Sequence, residues 1–214
     1  MKLSVIIPCY NEELTIKQVI CDIQKYCPKC EIYVFDNNSS DNSYNIAKET
    51  GAIVNKVSYQ GKGEVIRRAF ADIDSDIYIM VDADMQYDLS EINNFINYFT
   101  ENKLDMLNIS REVVDETVHR KGHSFGNMML TGFANFLFGK KFNDMLSGYR
   151  IFSKRFVKSF PANSRGFEIE TELTIYALQM RLPIDEISAK YIKRPEGSHS
   201  KLNTFKDGFR ILFT

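Results

Sequence analysis

The chain has 214 residues, of which 44% are hydrophobic and 26% are charged, and its formal net charge is -1 at pH 7. These values are typical of a globular protein and exclude a disordered or fibrous chain. A charge so close to zero gives no overall attraction to nucleic acid, so we expect no nucleic-acid partner.

The chain carries 4 cysteines, two of which lie in the pattern Cys27-Pro28-Lys29-Cys30. This spacing also occurs in zinc sites and redox pairs, but no second pair completes a zinc site here. We therefore expect reduced thiols in a cytosol-facing protein. The first predicted strand follows Met1-Lys2 directly, which leaves no room for a signal peptide, and no apolar run reaches the ~18 residues of a membrane helix.

Short apolar runs alternate with segments of helical periodicity as far as Arg111. The runs predict strands at residues 3–7, 32–35, 52–57, 77–81 and 106–109. The periodic segments predict helices at about residues 13–26, 61–73 and 91–99, and a short helix capped by Asp41 or Ser43 that runs to Lys48. This alternation predicts an α/β fold with a mainly parallel central sheet, Rossmann-like, and helices on both of its faces.

The alternation ends beyond Arg111. The polar residues 112–121 predict a loop, and a helix rich in Phe and Met follows at about residues 125–138. Core packing is the default role of such a helix, because it is apolar over much of its circumference. No linker or internal repeat divides the chain, so residues 1–200 are expected to form a single domain.

Two carboxylates follow the fourth predicted strand, in the sequence Asp82-Ala83-Asp84-Met85-Gln86. In an open α/β sheet this position faces the crevice where ligands bind. Carboxylate oxygens at this spacing suit Mg²⁺ or Mn²⁺, which take a couple of protein ligands and complete their shell with water and substrate phosphates. A solvated turn is the alternative, since paired acids also end many strands.

Polar residues also follow the first two predicted strands. These segments are Pro8-Cys9-Tyr10-Asn11-Glu12 and Asp36-Asn37-Asn38-Ser39-Ser40-Asp41. Turn formation explains the Asn and Ser, but acids after three strands also favour a single shared crevice. Gly61-Lys62-Gly63 opens a helix, where glycines let the backbone approach a ligand and the helix end favours anions. It lacks the full phosphate-loop pattern, so alone it is a weak nucleotide signal.

In this order the motifs resemble those of family 2 glycosyltransferases, whose opening is similar to residues 5–13 here. The position of Gln86, two residues past the acid pair, resembles the motif of one branch of that family. This is the dolichol-phosphate mannosyltransferase-like branch, also called polyprenyl-phosphate glycosyltransferases. The resemblance covers nearly the whole chain. Its further matches are Ser110-Arg111, Arg120 with Ser124, residues 144–150, Gly166-Phe167-Glu168 and residues 194–201.

The resemblance implies a GT-A fold and inverting transfer of a hexose from a UDP- or GDP-linked donor to a polyprenyl or dolichyl phosphate, with Mg²⁺ or Mn²⁺ as cofactor. It places donor contacts at Pro8, Tyr10, Glu12, Asp36, Asn37, Lys62, Asp82, Ala83 and Lys201. It places metal ligands at Asp82, Asp84 and Gln86, and catalytic residues at Asp84 and Asp144. It places acceptor-phosphate contacts at Arg111, Arg120, Ser124 and Arg194.

A phosphate-monoester acceptor is already ionised near neutral pH, since its second pKa is about 6, and it needs no strong general base. It needs guanidinium groups to hold it. Asp144 lies where relatives with hydroxyl acceptors place their base, whereas in the phosphate-acceptor branch it is expected to order Arg150 or an acceptor-side loop. Transfer to a glycan hydroxyl and a non-catalytic sugar-nucleotide-binding module are the alternative functions.

The chain departs from the family pattern at two places. Asn37 stands where the family usually has a second acid after the second strand, which weakens base recognition by this residue. Residues 194–201 carry one residue more than the mannosyltransferase pattern, so the register of Lys201 is less secure than that of Arg194.

Residues 201–214 predict the start of a basic amphipathic helix. Its apolar stripe is Leu202, Phe205, Phe209 and Leu212, and its basic residues are Lys201, Lys206 and Arg210. This pattern predicts binding to an anionic membrane surface at the cytoplasmic face. The alternative is that this helix packs back as a lid over the donor site. The helix predicted at residues 125–138 also has an alternative role, in which part of it opens toward a lipid acceptor instead of packing in the core.

Overall fold

The computed structural model describes residues 1–113, 131–132, 142–198 and 201. Within these residues the strands are β1 (Leu3–Cys9), β2 (Glu31–Asp36), β3 (Ile53–Lys56), β4 (Ile77–Met80), β5 (Met106–Val113), β6 (Arg150–Ser153) and β7 (Ile184–Tyr191). The helices are α1 (Ile16–Tyr26), α2 (Ser43–Glu49), α3 (Lys62–Asp72), α4 (Ile92–Glu101), α5 (Lys154–Ser159) and α6 (Ile169–Gln179).

All of these strands lie in one sheet, in the order β3-β2-β1-β4-β6-β5-β7. Strands β1 to β4 pair in parallel, as do β5 and β7, while β6 runs antiparallel to both of its neighbours. The predicted α/β fold with a mainly parallel sheet is therefore confirmed. Because β2 and β4 flank β1 on opposite sides, the chain changes direction across the sheet there, and ligand crevices form at such switch points.

Two hydrophobic clusters cover the two faces of the sheet. Val5 and Ile7 of β1 pack in the cluster that includes α1 and α4, whereas Ile6 packs in the cluster that includes α3 and α6. This division follows from the strand geometry, which points successive side chains to opposite faces. The predicted helices on both faces are thus confirmed.

The five predicted strands and four predicted helices are present, with boundaries that differ by a few residues. Strand β1 continues past Pro8 to Cys9, because Pro8 still pairs with Phe35 in the parallel register. Strand β5 continues to Val113 rather than ending at residue 109, because β7 pairs along its whole length. The predicted helix at residues 125–138 lies outside the described residues except for residues 131 and 132, which are helical, and residues 202–214 also lie outside them.

The expectation of reduced thiols is wrong for Cys27 and Cys30, which form a disulfide. A turn brings them together, since the Cys30 N–H donates to the Cys27 carbonyl at 3.0 Å and their Cα atoms lie 5.6 Å apart. Cys9 and Cys21 are free. Burial beside the charge of Asp36 raises the pKa of Cys9 to about 12. In the described part of the chain no helix is long and apolar enough to cross a membrane.

Candidate active site

The acid turn, residues 82–86, follows β4 at the edge of the sheet where β1 and β2 also end. Met85 adopts a left-handed conformation with φ 59°, and the Gln86 N–H donates to Asp84 Oδ1 at 3.2 Å. The side chains of Asp84 and Gln86 are buried, whereas that of Asp82 is partly exposed. The turn therefore directs its oxygens inward rather than into bulk solvent.

The oxygens of Asp84 and Gln86 converge on the guanidinium group of Arg194. Nη2 lies 2.5 Å from Asp84 Oδ2, Nε lies 2.8 Å from Gln86 Oε1, and Nη1 lies 3.5 Å from Glu12 Oε1. Burial and the neighbouring charge of Asp82 raise the pKa of Asp84 to about 6, and Arg194 opposes this rise. The sequence placed Arg194 with the acceptor phosphate, but here it lies against two of the expected metal ligands.

This arrangement fits a divalent cation, because its oxygens already surround a positive group. Gly148 leaves Asp82 accessible, since a Cβ atom there would lie 2.0 Å from Asp82 Oδ2. Among the residues that the structure describes, no group of three His, Cys, Asp or Glu side chains could hold a metal ion. Asp82, Asp84 and Gln86 would thus supply a small ligand set completed by water and donor phosphates, which is the mode that Mg²⁺ favours.

Lys62 connects the acid turn to α6. Its Nζ lies 2.5 Å from Asp82 Oδ1 and 2.5 Å from Glu170 Oε1, and its side chain is only 7% exposed. Burial alone would lower the pKa of Lys62, but the charges of Asp82 and Glu170 outweigh burial and raise it. Burial also raises the pKa of Glu170, against the effect of Lys62. Sequence reasoning missed Glu170, whose only signal is its place two residues after the Gly166-Phe167-Glu168 match.

The glycines on either side of Lys62 accommodate the protein's own backbone. A Cβ atom would lie 2.0 Å from the Arg165 carbonyl oxygen at Gly61 and 2.1 Å from the Ser164 carbonyl oxygen at Gly63. The Gly63 N–H donates to the Gly166 carbonyl at 3.1 Å, so this amide at the start of α3 is occupied. The expectation that these glycines bring backbone up to a ligand is therefore wrong.

Asp36 and Asn37, at the end of β2, have different surroundings. Asp36 is 2% exposed, and its Oδ1 has no hydrogen-bond partner among the described residues. The Asn37 side chain holds the following loop: Nδ2 donates to the carbonyls of Val57 (3.2 Å) and Tyr59 (2.7 Å), and Oδ1 accepts from the Gly61 N–H (2.7 Å). Asp36 thus retains an open acceptor atom, while the amide of Asn37 is used within the chain.

Glu12 joins the end of β1 to the segment that follows β7. Besides Arg194, its carboxylate contacts Ser198 Oγ at 3.4 Å and Lys201 Nζ at 3.6 Å. Lys201 therefore lies beside Glu12, another of the predicted donor contacts. The remaining predicted donor contacts also lie at these strand ends: Pro8, near the end of β1, and Tyr10, just after it, are half-buried, and Ala83 is buried in the acid turn.

Arg111 and Asp144 form a two-pronged ion pair. Nε and Nη2 of Arg111 each lie 2.6 Å from an oxygen of Asp144, and the Arg111 N–H donates to the same carboxylate at 3.2 Å. Burial would lower the pKa of Arg111, but Asp144 outweighs it and raises the pKa. Arg150 bonds instead to the carbonyls of Ser147 and Met145 and to Thr174 Oγ1, so Asp144 orders Arg111 rather than Arg150.

Two tyrosines that the sequence did not single out fill the space between this ion pair and the acid turn. The rings of Tyr87 and Tyr191 meet edge to face at 5.2 Å, and the Arg111 guanidinium lies 5.5 Å from the centre of the Tyr191 ring. Burial, followed by the charge of Asp84, raises the pKa of Tyr191 to about 12. The Tyr87 hydroxyl accepts from the Gly148 N–H at 3.1 Å. Arg120 and Ser124 lie outside the described residues.

A family model described as glycosyl transferase family 2 matches residues 4–160 of this chain. The match includes the ends of β1, β2 and β4 and both partners of the Arg111–Asp144 pair. The chain belongs to this family. The predicted family membership is thus confirmed, and the activity of the family is glycosyl transfer from a nucleotide sugar.

Relatives and a solved structure agree with this assignment. Protein RfbJ of Shigella flexneri is 48% identical over 122 residues, which are 56% of this chain and 95% of RfbJ. A dolichyl-phosphate hexose transferase of Haloferax volcanii is 26% identical over 98% of this chain and 90% of its own length. The chain spans only about half the length of some other relatives.

The solved structure is glucosyl-3-phosphoglycerate synthase from Mycobacterium tuberculosis in complex with Mn²⁺, UDP-glucose and phosphoglyceric acid. It superposes with a TM-score of 0.80 at 20% identity, over 99% of this family 2 chain and 77% of the synthase. The predicted GT-A fold is confirmed.

Proposed function

We propose that this family 2 enzyme is an inverting, metal-dependent hexosyltransferase whose acceptor is a polyprenyl or dolichyl phosphate. The observation that carries the proposal is the Arg111–Asp144 ion pair beside the acid turn, because it offers a fixed guanidinium to an anionic acceptor. The similarity to a dolichyl-phosphate hexose transferase over nearly the whole chain supports the same acceptor class.

On the donor side, Asp82, Asp84 and Gln86 would hold Mg²⁺ or Mn²⁺. Such an ion would supply Lewis-acid stabilisation of the negative charge on the departing diphosphate. Asp36 would accept an N–H of the nucleobase at its unpaired Oδ1, since a buried acceptor without a partner is costly. Uracil and guanine both carry such an N–H, which agrees with a UDP- or GDP-linked donor.

On the acceptor side, Arg111 would hold the phosphate together with Arg194, with Arg120 and Ser124 as the further expected contacts. A phosphate group brings its own negative charge as the nucleophile, so these residues need only bind and orient it. Asp144 contributes by fixing the guanidinium plane of Arg111, which can then form a two-pronged bond with phosphate oxygens.

Transfer to a glycan hydroxyl is the second candidate, because it would use the same donor residues with Asp144 as base. A carboxylate that accepts two hydrogen bonds at 2.6 Å from an arginine is a poor base, since those bonds stabilise its ionised form. The geometry therefore favours the phosphate acceptor. A non-catalytic binding module is disfavoured by the intact acid turn.

The expected acceptor is a lipid, so we place the reaction at the cytoplasmic face of a membrane. In this proposal residues 1–200 form the catalytic domain, and residues 201–214 begin an amphipathic helix that lies on anionic lipid.

Two substitutions separate the acceptor classes. Arg111→Ala should lower transfer to polyprenyl phosphate by about ten- to hundredfold, as expected for the loss of charge-assisted contacts, while slow hydrolysis of the donor continues. Asp144→Asn should have a smaller effect, because an amide oxygen can still accept from Arg111. An enzyme that tolerates Arg111→Ala but is inactive with Asp144→Asn would instead support the hydroxyl acceptor.

A further inference from the structure

Each of the two carboxylates proposed as metal ligands is paired with a cation of this chain, and the two cations differ in how deeply they are buried. Lys62, on Asp82, is 7% exposed and is held from behind by Glu170. Arg194, on Asp84, is 21% exposed and lies three residues beyond the end of β7. Lys62 is therefore enclosed within the protein, whereas the side chain of Arg194 reaches the surface of the site.

Arg194 and a metal ion need the same oxygens. Its Nη2 and Nε lie 2.5 Å from Asp84 Oδ2 and 2.8 Å from Gln86 Oε1, so an ion bound between these atoms must displace the guanidinium group. Lys62 does not compete in this way, because it contacts Asp82 Oδ1 and leaves Oδ2 beside Gly148.

The backbone of the segment has its own anchors, so only the side chain needs to move. The Ile192 N–H donates to the Gln86 carbonyl at 2.9 Å, and Gln86 Nε2 donates to the Ile192 carbonyl at 3.2 Å. Two residues further on, Gln86 Oε1 accepts from Arg194. Gln86 therefore connects the proposed metal site directly to the strand end that carries Arg194.

We propose that Arg194 is an internal placeholder for the metal ion. In the metal-free enzyme its guanidinium neutralises Asp84, which would otherwise be a buried charge next to Asp82. Metal binding displaces the guanidinium, which then becomes available to the acceptor phosphate. This inference rests on the proposed function, which supplies the metal site and the phosphate acceptor. It implies that the metal ion must bind before Arg194 can contact the acceptor phosphate.

The test is the affinity of the full chain for Mn²⁺, measured from the electron paramagnetic resonance signal of the free ion, with neither sugar donor nor acceptor present. Arg194→Ala should bind Mn²⁺ about ten- to hundredfold more tightly than the wild type, because the ion no longer competes with charge-assisted hydrogen bonds. Lys193→Ala is the matched control: it removes the same charge from an exposed neighbouring position and should change the affinity less than twofold.

An unchanged or weaker Mn²⁺ affinity in Arg194→Ala would overturn the placeholder role. A second measurement guards against an indirect effect of the substitution. The Nε–H resonance of Arg194, identified by its loss in Arg194→Lys, should shift when Mg²⁺ is added to the wild type, and a resonance that Mg²⁺ leaves in place would also overturn the inference.

These measurements distinguish a failure of the placeholder role from a failure of the proposed function. Equal Mn²⁺ affinities in an enzyme that transfers sugar to polyprenyl phosphate would refute only the placeholder. Tighter binding by Arg194→Ala in a protein that transfers no sugar would refute only the proposed activity. Absence of Mn²⁺ binding by every variant, both alone and with added UDP or GDP to supply phosphate ligands, would refute the metal site and the placeholder together.

Discussion

Gly148 controls the position of Asp82 because it has no side chain. A Cβ atom at this position would lie 2.0 Å from Asp82 Oδ2 and 2.4 Å from its Cγ, which is closer than real atoms approach. Neither Gly148 nor its bond to the Tyr87 hydroxyl has a chemical function of its own. Both would act only by setting the geometry of Asp82, a proposed metal ligand.

Gly148→Ala should therefore lower turnover by about a hundredfold, since a displacement of about 1 Å at a reacting centre has costs of that order. Turnover and melting temperature should be measured together, with Gly132→Ala as the control, because a Cβ atom at Gly132 meets none of the described residues within 4 Å. Wild-type turnover in Gly148→Ala would show that Asp82 does not need its present position.

The Lys62 ion pairs predict strong coupling between residues that lie far apart in the sequence. Lys62→Met should destabilise the fold by about 3–5 kcal/mol, because it leaves the buried Glu170 without its partner. Adding Glu170→Gln should recover much of that loss by removing the unpaired charge. Denaturant unfolding of both single variants and the double variant gives the coupling free energy, and strictly additive changes would contradict the ion-pair account.

Among the secondary-structure elements, periodicity predicts the strands of the first half of the sheet, but in the second half it predicts only the start of β5. Strands β1, β2 and β4 are apolar runs with acidic residues at or just after their ends, whereas β3 ends at Lys56. Helix α6 buries Glu170, Thr171 and Thr174 together with apolar residues, so no apolar stripe marks it. Strand β7 lies at the sheet edge and is mostly half-buried, and its sequence is correspondingly mixed.

The candidate site, too, could be predicted only in part from the sequence. The acid turn, Glu12 and Arg194 carry motifs, and the structure brings them together. Glu170 and Tyr191 carry none, because their roles depend on contacts with Lys62 and Arg111 that only the fold creates. From the sequence alone, Gly61 and Gly63 indicate a nearby ligand. In the structure their close neighbour is the backbone of residues 164–166, which only the fold brings there.

The packing of α3 against that backbone gives a prediction for the element as a whole. Gly61→Ala and Gly63→Ala should each lower the free energy of unfolding by about 1–3 kcal/mol, as expected for overpacking. Gly51→Ala is the control that measures backbone strain without a steric clash. Gly51 has φ +84°, but a Cβ atom there would have no described atom within 4 Å. If Gly63→Ala cost no more stability than Gly51→Ala, the close approach of α3 to residues 164–166 would be disproved.

For the whole molecule, the sheet order brings the two halves of the site together. Strand β6 lies between β4 and β5, so the acid turn and Arg111 come from opposite sides of one antiparallel strand. Strand β7, beside β5, then leads into the segment that crosses back to Glu12 through Arg194 and Lys201. The parallel strands thus carry the expected donor residues, and the mixed half carries the expected acceptor residues.

Metal-dependent transfer of a sugar to a polyprenyl phosphate can be measured directly in the product. The direct measurement incubates the purified chain with radiolabelled UDP- and GDP-hexoses, Mn²⁺ and polyprenyl phosphate, and follows the label into the lipid phase. We predict a glycosyl phosphate with the anomeric configuration opposite to that of the donor, formed only with Mn²⁺ or Mg²⁺ and lost in folded Asp84→Asn. Full transfer in excess chelator, or the absence of label from the lipid phase with every donor, would contradict this function.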